Sequence, residues 1–186
     1  VHVLEQYMTT PGQSRLMDRW AEGILHTVIE IAPKIWENQH DYAVMSEYML
    51  GATLALNDMI RMGVTQDWAT HMIGHELTAL HGLTHGATLA IVINGTLRVL
   101  REQKRGKLLQ YGERIWGIAD GSEEERIDRT LEATKKILPF AGAFDPAFGG
   151  GDRRNDDCGD RTPLQCLRRQ VRRSAERRRR RGAPDT

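Results

Sequence analysis

The sequence predicts an all-α protein, a multi-helix bundle of about six helices, on three observations. Apolar residues recur at intervals of three and four, as one buried face of a helix requires. No alternating apolar and polar run is long enough to propose a sheet. Residues that start and stop helices punctuate the chain at ordinary helix lengths.

Thr10-Pro11 is expected to open the first long helix, because threonine can cap orphan amides and proline suits the first helical position. Leu16, Trp20, Ile24, Val28 and Ile31 form its apolar stripe and are expected in the core. A second, largely apolar helix is expected from about Asp41 to Met62, carrying Met45, Met49, Leu54 and Ile60, with Gly63 ending it. A histidine-bearing helix follows from about Gln66 to His81, then one from Thr84 to about Gln103 and a shorter one from Lys107 to Trp116. Ser122 with Glu125 reads as a capping box that opens a last helix running to about Ile137. Trp20, Trp36, Trp68 and Trp116 read as packing residues of core or cleft.

Composition divides the chain at about residue 138. The body, residues 1–137, has the apolar share of an ordinary soluble domain and no cysteine; Cys158 and Cys166 both lie beyond it and form no CxxC. No run of about eighteen apolar residues could span a membrane, and the start has no secretory pattern. From residue 151 to 186 there are twelve arginines, no lysine and six acids, so this stretch carries six net positive charges. The first 150 residues are then five net negative within the total of plus one. Residues 138–186 are expected to be a disordered tail, since dense like charge with few apolar groups cannot offset ordering entropy. An arginine block can neutralise phosphates, but nucleic acid is not the expected partner. Arginine without lysine is what out-of-frame translation of G+C-rich coding sequence yields, and a frameshift near residues 138–141 is the preferred explanation.

Function is concentrated in four histidines within fifteen residues: His71, His75, His81 and His85, of seven in the chain. Neutral imidazole is a common ligand of zinc, iron, copper and nickel. His71 and His75, four apart, project from one helix face, whereas His81 points elsewhere. His85 would return to nearly the same face of a continuous helix, but about 21 Å along the axis, beyond the reach of one metal. The helix is therefore expected to break, with Gly82 as its C-terminal cap and Thr84 capping a second helix, so that His85 folds back toward His71. Metalloprotease chemistry is not indicated. A His-Glu-x-x-His motif fails because Ala79 stands where the second histidine belongs, and the inverted motif fails at Gly74.

The run His71, His75 and then His85 ten further on resembles the metal-binding signature of the iron-containing alcohol dehydrogenases. The words GVTQDWATHMIGHELTALHGLTHG and KRGKLLQYGERIWGI are similar to the butanol dehydrogenase-like, NADPH-dependent aldehyde reductase branch of that family. The resemblance extends from about Val1 to about Ile137. The opening residues, Val1-His2-Val3-Leu4-Glu5, resemble the family segment Asp-x3-His-x2-Glu, with the aspartate falling before the first residue.

The resemblance implies the all-α C-terminal domain of a metal-dependent alcohol dehydrogenase or aldehyde reductase. His2, His71 and His85 would be metal ligands, and a divalent ion, Fe2+ or Zn2+, would act as Lewis acid. His75 would sit beside the nicotinamide and substrate and relay a proton; Glu76 could orient an imidazole or simply be solvated. His81, His26 and His40 match no motif position and are expected to be structural or superficial. NADP(H) or NAD(H) would bind the upstream α/β domain, whose Gly-rich turn has no counterpart here, so the chain alone should not turn over. The family also implies a homodimer in the complete protein, acting on an alcohol or aldehyde of open size, while the composition agrees with a cytoplasmic protein that has no membrane partner. The alternative is a free-standing helical metal-binding or interaction module.

Overall fold

The computed structural model describes residues 1–143, with side chains to residue 137. The described residues form seven helices and no strand: α1 (His2–Tyr7), α2 (Arg15–Glu37), α3 (Tyr42–Ala55), α4 (Ala69–His81), α5 (His85–Val99), α6 (Arg105–Trp116) and α7 (Glu123–Ala143). The all-α expectation holds. The tail assigned to residues 138–186 lies, beyond Ala143, outside the described residues. No helix among those described is long and apolar enough to cross a membrane.

The chain divides into two compact units, and the larger comprises Val1–Ala69 with Asn94–Ile137. Its first helix, α1, was not foreseen as a helix. At six residues it is too short to be stable alone, and it holds its shape because Val3, Leu4, Tyr7 and the following Met8 are buried. The Gln6 side-chain amide donates to His2 O and Ala55 O, both at 2.8 Å, tying α1 to itself and to the end of α3.

The second helix starts at Arg15, later than expected. Ser14, not Thr10, is its cap, accepting from the Met17 amide at 3.2 Å, and Pro11 lies in the turn before it. The expected core stripe is corrected in its first half: Leu16 is 56% exposed and Trp20 38%, whereas Ile31 is buried. The face turned inward there carries Met17, Asp18, Ala21 and Glu22 instead, because α6 presents polar partners to it. Lys107 Nζ lies 2.5 Å from Asp18 Oδ1 and 4.4 Å from the Tyr7 ring centroid. Arg114 pairs with Glu22 at 2.8 Å, Tyr7 donates to Glu22 at 2.9 Å, and Gln110 donates to Tyr7, Asp18 and Glu22. Burial, reinforced by the neighbouring Glu22 and Asp18 carboxylates, raises the Tyr7 phenol well above its ordinary pKa despite the Gln110 hydrogen bond. A hydrophobicity pattern cannot register a face buried through paired charges.

Helix α3 begins close to the expected start, and Asp41 caps it, its carboxylate accepting from the Ala43 and Val44 amides at 3.0 and 3.2 Å. It packs along α2, where Gly51 approaches Val28, and ends at Ala55; turns replace the expected helix from there to Met62. Trp36 is 50% exposed and Trp20 38%, less buried than a core position requires, while Trp68 and Trp116 are half-buried. Beyond them, α6 closes at Gly117, which adopts φ 67° and donates to Glu113 O, while Ile118 donates to Gly112 O. Ser122 and Glu125 form the expected capping box, the Glu125 carboxylate accepting from Ser122 N and the Ser122 hydroxyl from Glu125 N. The core of this unit draws Leu97 from α5, Leu108, Tyr111 and Ile115 from α6, and Ile127 and Leu131 from α7.

The described part of the smaller unit, Thr70–Ile93, is a helical hairpin made of α4 and the first turns of α5. The expected break is found at Gly82, which adopts φ 64° and donates to Thr78 O at 2.8 Å. Leu83, Ala87, Leu89, Ala90 and Ile93 are buried.

Candidate metal centre

Two small-residue contacts set how closely α5 returns along α4. A Cβ at Gly74 would meet Leu89 Cδ2 at 3.0 Å and Thr88 Oγ1 at 3.2 Å, so the helices approach where a larger residue would hold them apart. One turn on, the Thr78 and Thr88 hydroxyls share a hydrogen bond at 3.3 Å. Sequence reasoning missed both positions; a glycine inside a helix pattern, at 74, was the available signal.

This approach brings three of the predicted histidines together. The His71 and His85 ring centroids lie 5.3 Å apart with planes inclined at 56°. His75 stacks on His85 at 4.9 Å and 29°, and meets His71 edge to face at 6.2 Å. His71 is buried, His85 half-buried and His75 exposed. Two imidazoles sharing one tetrahedral ion, at metal–nitrogen distances of about 2.0–2.1 Å, place their centroids about 5 Å apart. The His71–His85 pair has that spacing, and the donor set suits a divalent transition metal. Burial, together with the nearby His71 and His75 rings, lowers the His85 pKa and so favours the neutral form that can act as a ligand.

His2, the remaining predicted ligand, is the first residue of α1 in the larger unit. It is half-buried, with its ring edge-on to Trp68 at 6.3 Å. Trp68 is itself fixed by its indole N–H, which donates to Gln66 Oε1 at 2.9 Å. His81 is the last residue of α4 and half-buried. Glu76 is exposed. His26 is exposed and its Nε2 lies 2.9 Å from Arg114 O, and His40 is exposed, as expected of residues outside the motif.

Fold and histidines together define an α-helical domain that gathers imidazoles at a helix hairpin. The chain belongs to the Fe-containing alcohol dehydrogenase family, whose C-terminal model matches residues 1–141. It is 51% identical over 142 residues to the NADPH-dependent aldehyde reductase YqhD of Escherichia coli (strain K12), a match covering 76% of this chain and 37% of that protein. It is 31% identical over 140 residues to NADH-dependent butanol dehydrogenase B of Clostridium acetobutylicum, covering 75% of this chain and 35% of the relative. Among solved structures, E. coli K-12 YqhD superposes with a TM-score of 0.74 at 43% identity, over 94% of this chain and 43% of that one. The NADH-dependent butanol dehydrogenase A of Thermotoga maritima gives 0.71 at 29% identity, over 81% and 38%. The chain thus spans little more than a third of the length of these curated relatives.

Proposed function

We propose that the chain is the metal-holding part of an NAD(P)-dependent alcohol dehydrogenase that interconverts an aldehyde and its alcohol, with His2, His71 and His85 as protein ligands of one divalent ion, iron or zinc. The observation that carries this reading is the His71–His85 pair, set at ligand spacing by a hairpin that Gly74 and Gly82 make possible. His2 is included because it, like His71 and His85, can offer one imidazole nitrogen and because it matches the family's ligand position. NADPH is the preferred reductant on the strength of the 51% identical relative, whose name carries that dependence. A homodimer in the cytoplasm completes the proposal.

A bound metal supplies Lewis acidity toward the substrate oxygen, and a nicotinamide cofactor donates or accepts hydride. The chain's own residues have distinct tasks. Buried His71 fixes one imidazole on α4, and His85, whose surroundings favour the neutral form, presents another from α5. His75, exposed and stacked on His85, holds a proton at a ring nitrogen and passes it to or from the substrate oxygen.

The test is metal content of the complete natural protein beside His71→Ala and His85→Ala. Stoichiometric iron or zinc, lost in both variants together with aldehyde-dependent oxidation of NADPH, is expected. Absence of metal from the unaltered protein after reconstitution with either ion would leave the histidines structural and the proposal wrong.

A further inference from the structure

A six-residue helix cannot fix the direction of its own first residue, so the placement of His2 depends on what holds α1. Most of the orphan carbonyls at the C-terminal end of α1 have identifiable donors. Leu4 O accepts from Met8 N at 2.7 Å, Glu5 O from Asp67 N at 3.1 Å, and Met8 O from the ammonium of Lys104 at 2.9 Å. Lys104 is 8% exposed, and the same ammonium pairs with Asp67 Oδ2 at 2.6 Å. The other oxygen of Asp67, Oδ1, accepts from Ala69 N at 3.0 Å, at the first residue of α4. One buried cation therefore closes the end of α1 and clasps it to segment 66–69, whose Trp68 lies edge-on to the His2 ring.

Resting on the proposal that His2 is a metal ligand, we infer that Lys104 is a positioning residue for the metal site. Its ammonium, shared between Met8 O and Asp67, holds α1 and Trp68 in the register that aims the His2 imidazole. A buried ammonium is costly to desolvate and is kept here by two acceptors. A leucine or methionine could fill the same space, but neither donates to a helix-end carbonyl and a carboxylate at once. Groups that hold a ligand in orientation without touching the metal commonly change metal affinity by about ten- to a hundredfold.

The experiment is Co2+ titration of the complete natural chain, read by quenching of Trp68 fluorescence, with Trp68→Phe identifying that signal and competition with a chelator giving Kd independently. Lys104→Met is expected to raise the Co2+ Kd about tenfold or more and to reduce Trp68 quenching at saturation. Lys104→Arg, which can still donate to both acceptors, should recover most of the affinity. Asp67→Asn, which keeps the shape and loses the charge, should fall between, and it decides the matter if Lys104→Met does not fold. A folded Lys104→Met protein, by circular dichroism, with unaltered Kd and quenching would overturn the inference even if its Tm is lower, provided His2→Ala loses affinity in parallel. If His2→Ala itself binds Co2+ as the unaltered protein does, the ligand assignment fails and the positioning role fails with it.

Discussion

Lys107 is 2% exposed and its ammonium has the Asp18 carboxylate at 2.5 Å and the Tyr7 ring beneath it. Removing one member of a buried pair leaves the other charge without compensation, which costs about 3–5 kcal/mol, whereas replacing both by apolar groups can be nearly neutral. Asp18→Ala should therefore destabilise the protein by about that amount in urea unfolding, and the double variant Asp18→Leu/Lys107→Met by clearly less. Equal or additive losses would show that the pair's value lies in packing alone. Asp67 gives a prediction in pH. Its partial burial pushes the carboxyl pKa up, but the Lys104 hydrogen bond, the Ala69 amide and the Lys104 charge outweigh that, and the pKa lies below its ordinary 3.8. The folded state thus favours the carboxylate, so the stabilisation is complete above that ordinary value and is lost as pH falls through the lower folded one. The Tm difference between the natural protein and Asp67→Asn should be constant above about pH 5 and shrink below 3.8. A difference that grows on acidification would contradict the sign.

Among the elements, the closest approach for which a glycine is required is between α6 and α7. A Cβ at Gly112 would overlap Thr130 Oγ1, which is held in place by donating to Arg126 O at 2.8 Å. Gly112→Ala should cost about 1–3 kcal/mol by overpacking, and Thr130→Ala in the same protein should restore much of it, measured by thermal and urea unfolding. No recovery in the double variant would mean that the strain lies in the backbone. This contact also shows what the sequence could and could not disclose. Features that act within a few residues were legible: the Ser122–Glu125 box, the start of a helix near Asp41, the Gly82 break and hence the return of His85 to His71. The inward face of α2 was not, because Asp18 and Glu22 are paired with residues about ninety positions away. The Lys104 clasp joins residues 37 and 96 apart. Lysine and aspartate are ordinary surface residues until the fold supplies their partners, so no local pattern marks them.

At the scale of the whole molecule, exposed apolar side chains are concentrated between residues 42 and 62. Tyr42 is 86% exposed, and Met49, Leu50, Leu56, Met59 and Met62 are all exposed, while Gly51 is the one residue of α3 that is buried. Helix α3 is nonetheless capped and packed along α2, so Tyr42, Met49 and Leu50 belong to a formed helix, and Leu56, Met59 and Met62 to the turns that follow it. Soluble monomers seldom leave so much apolar surface in one stretch open to water, and such surface drives association. The 186-residue chain, studied by itself, should therefore self-associate. Sedimentation velocity should show weight-average mass rising with concentration, together with binding of an apolar dye. Placing charges on the exposed positions, as Met49→Lys with Leu50→Glu, should reduce both without lowering helical circular dichroism, because neither side chain contributes to the core. A chain that stays monomeric and dye-free at all concentrations would show that these side chains are not sticky. Loss of helicity in the double variant would show instead that they support α3 itself.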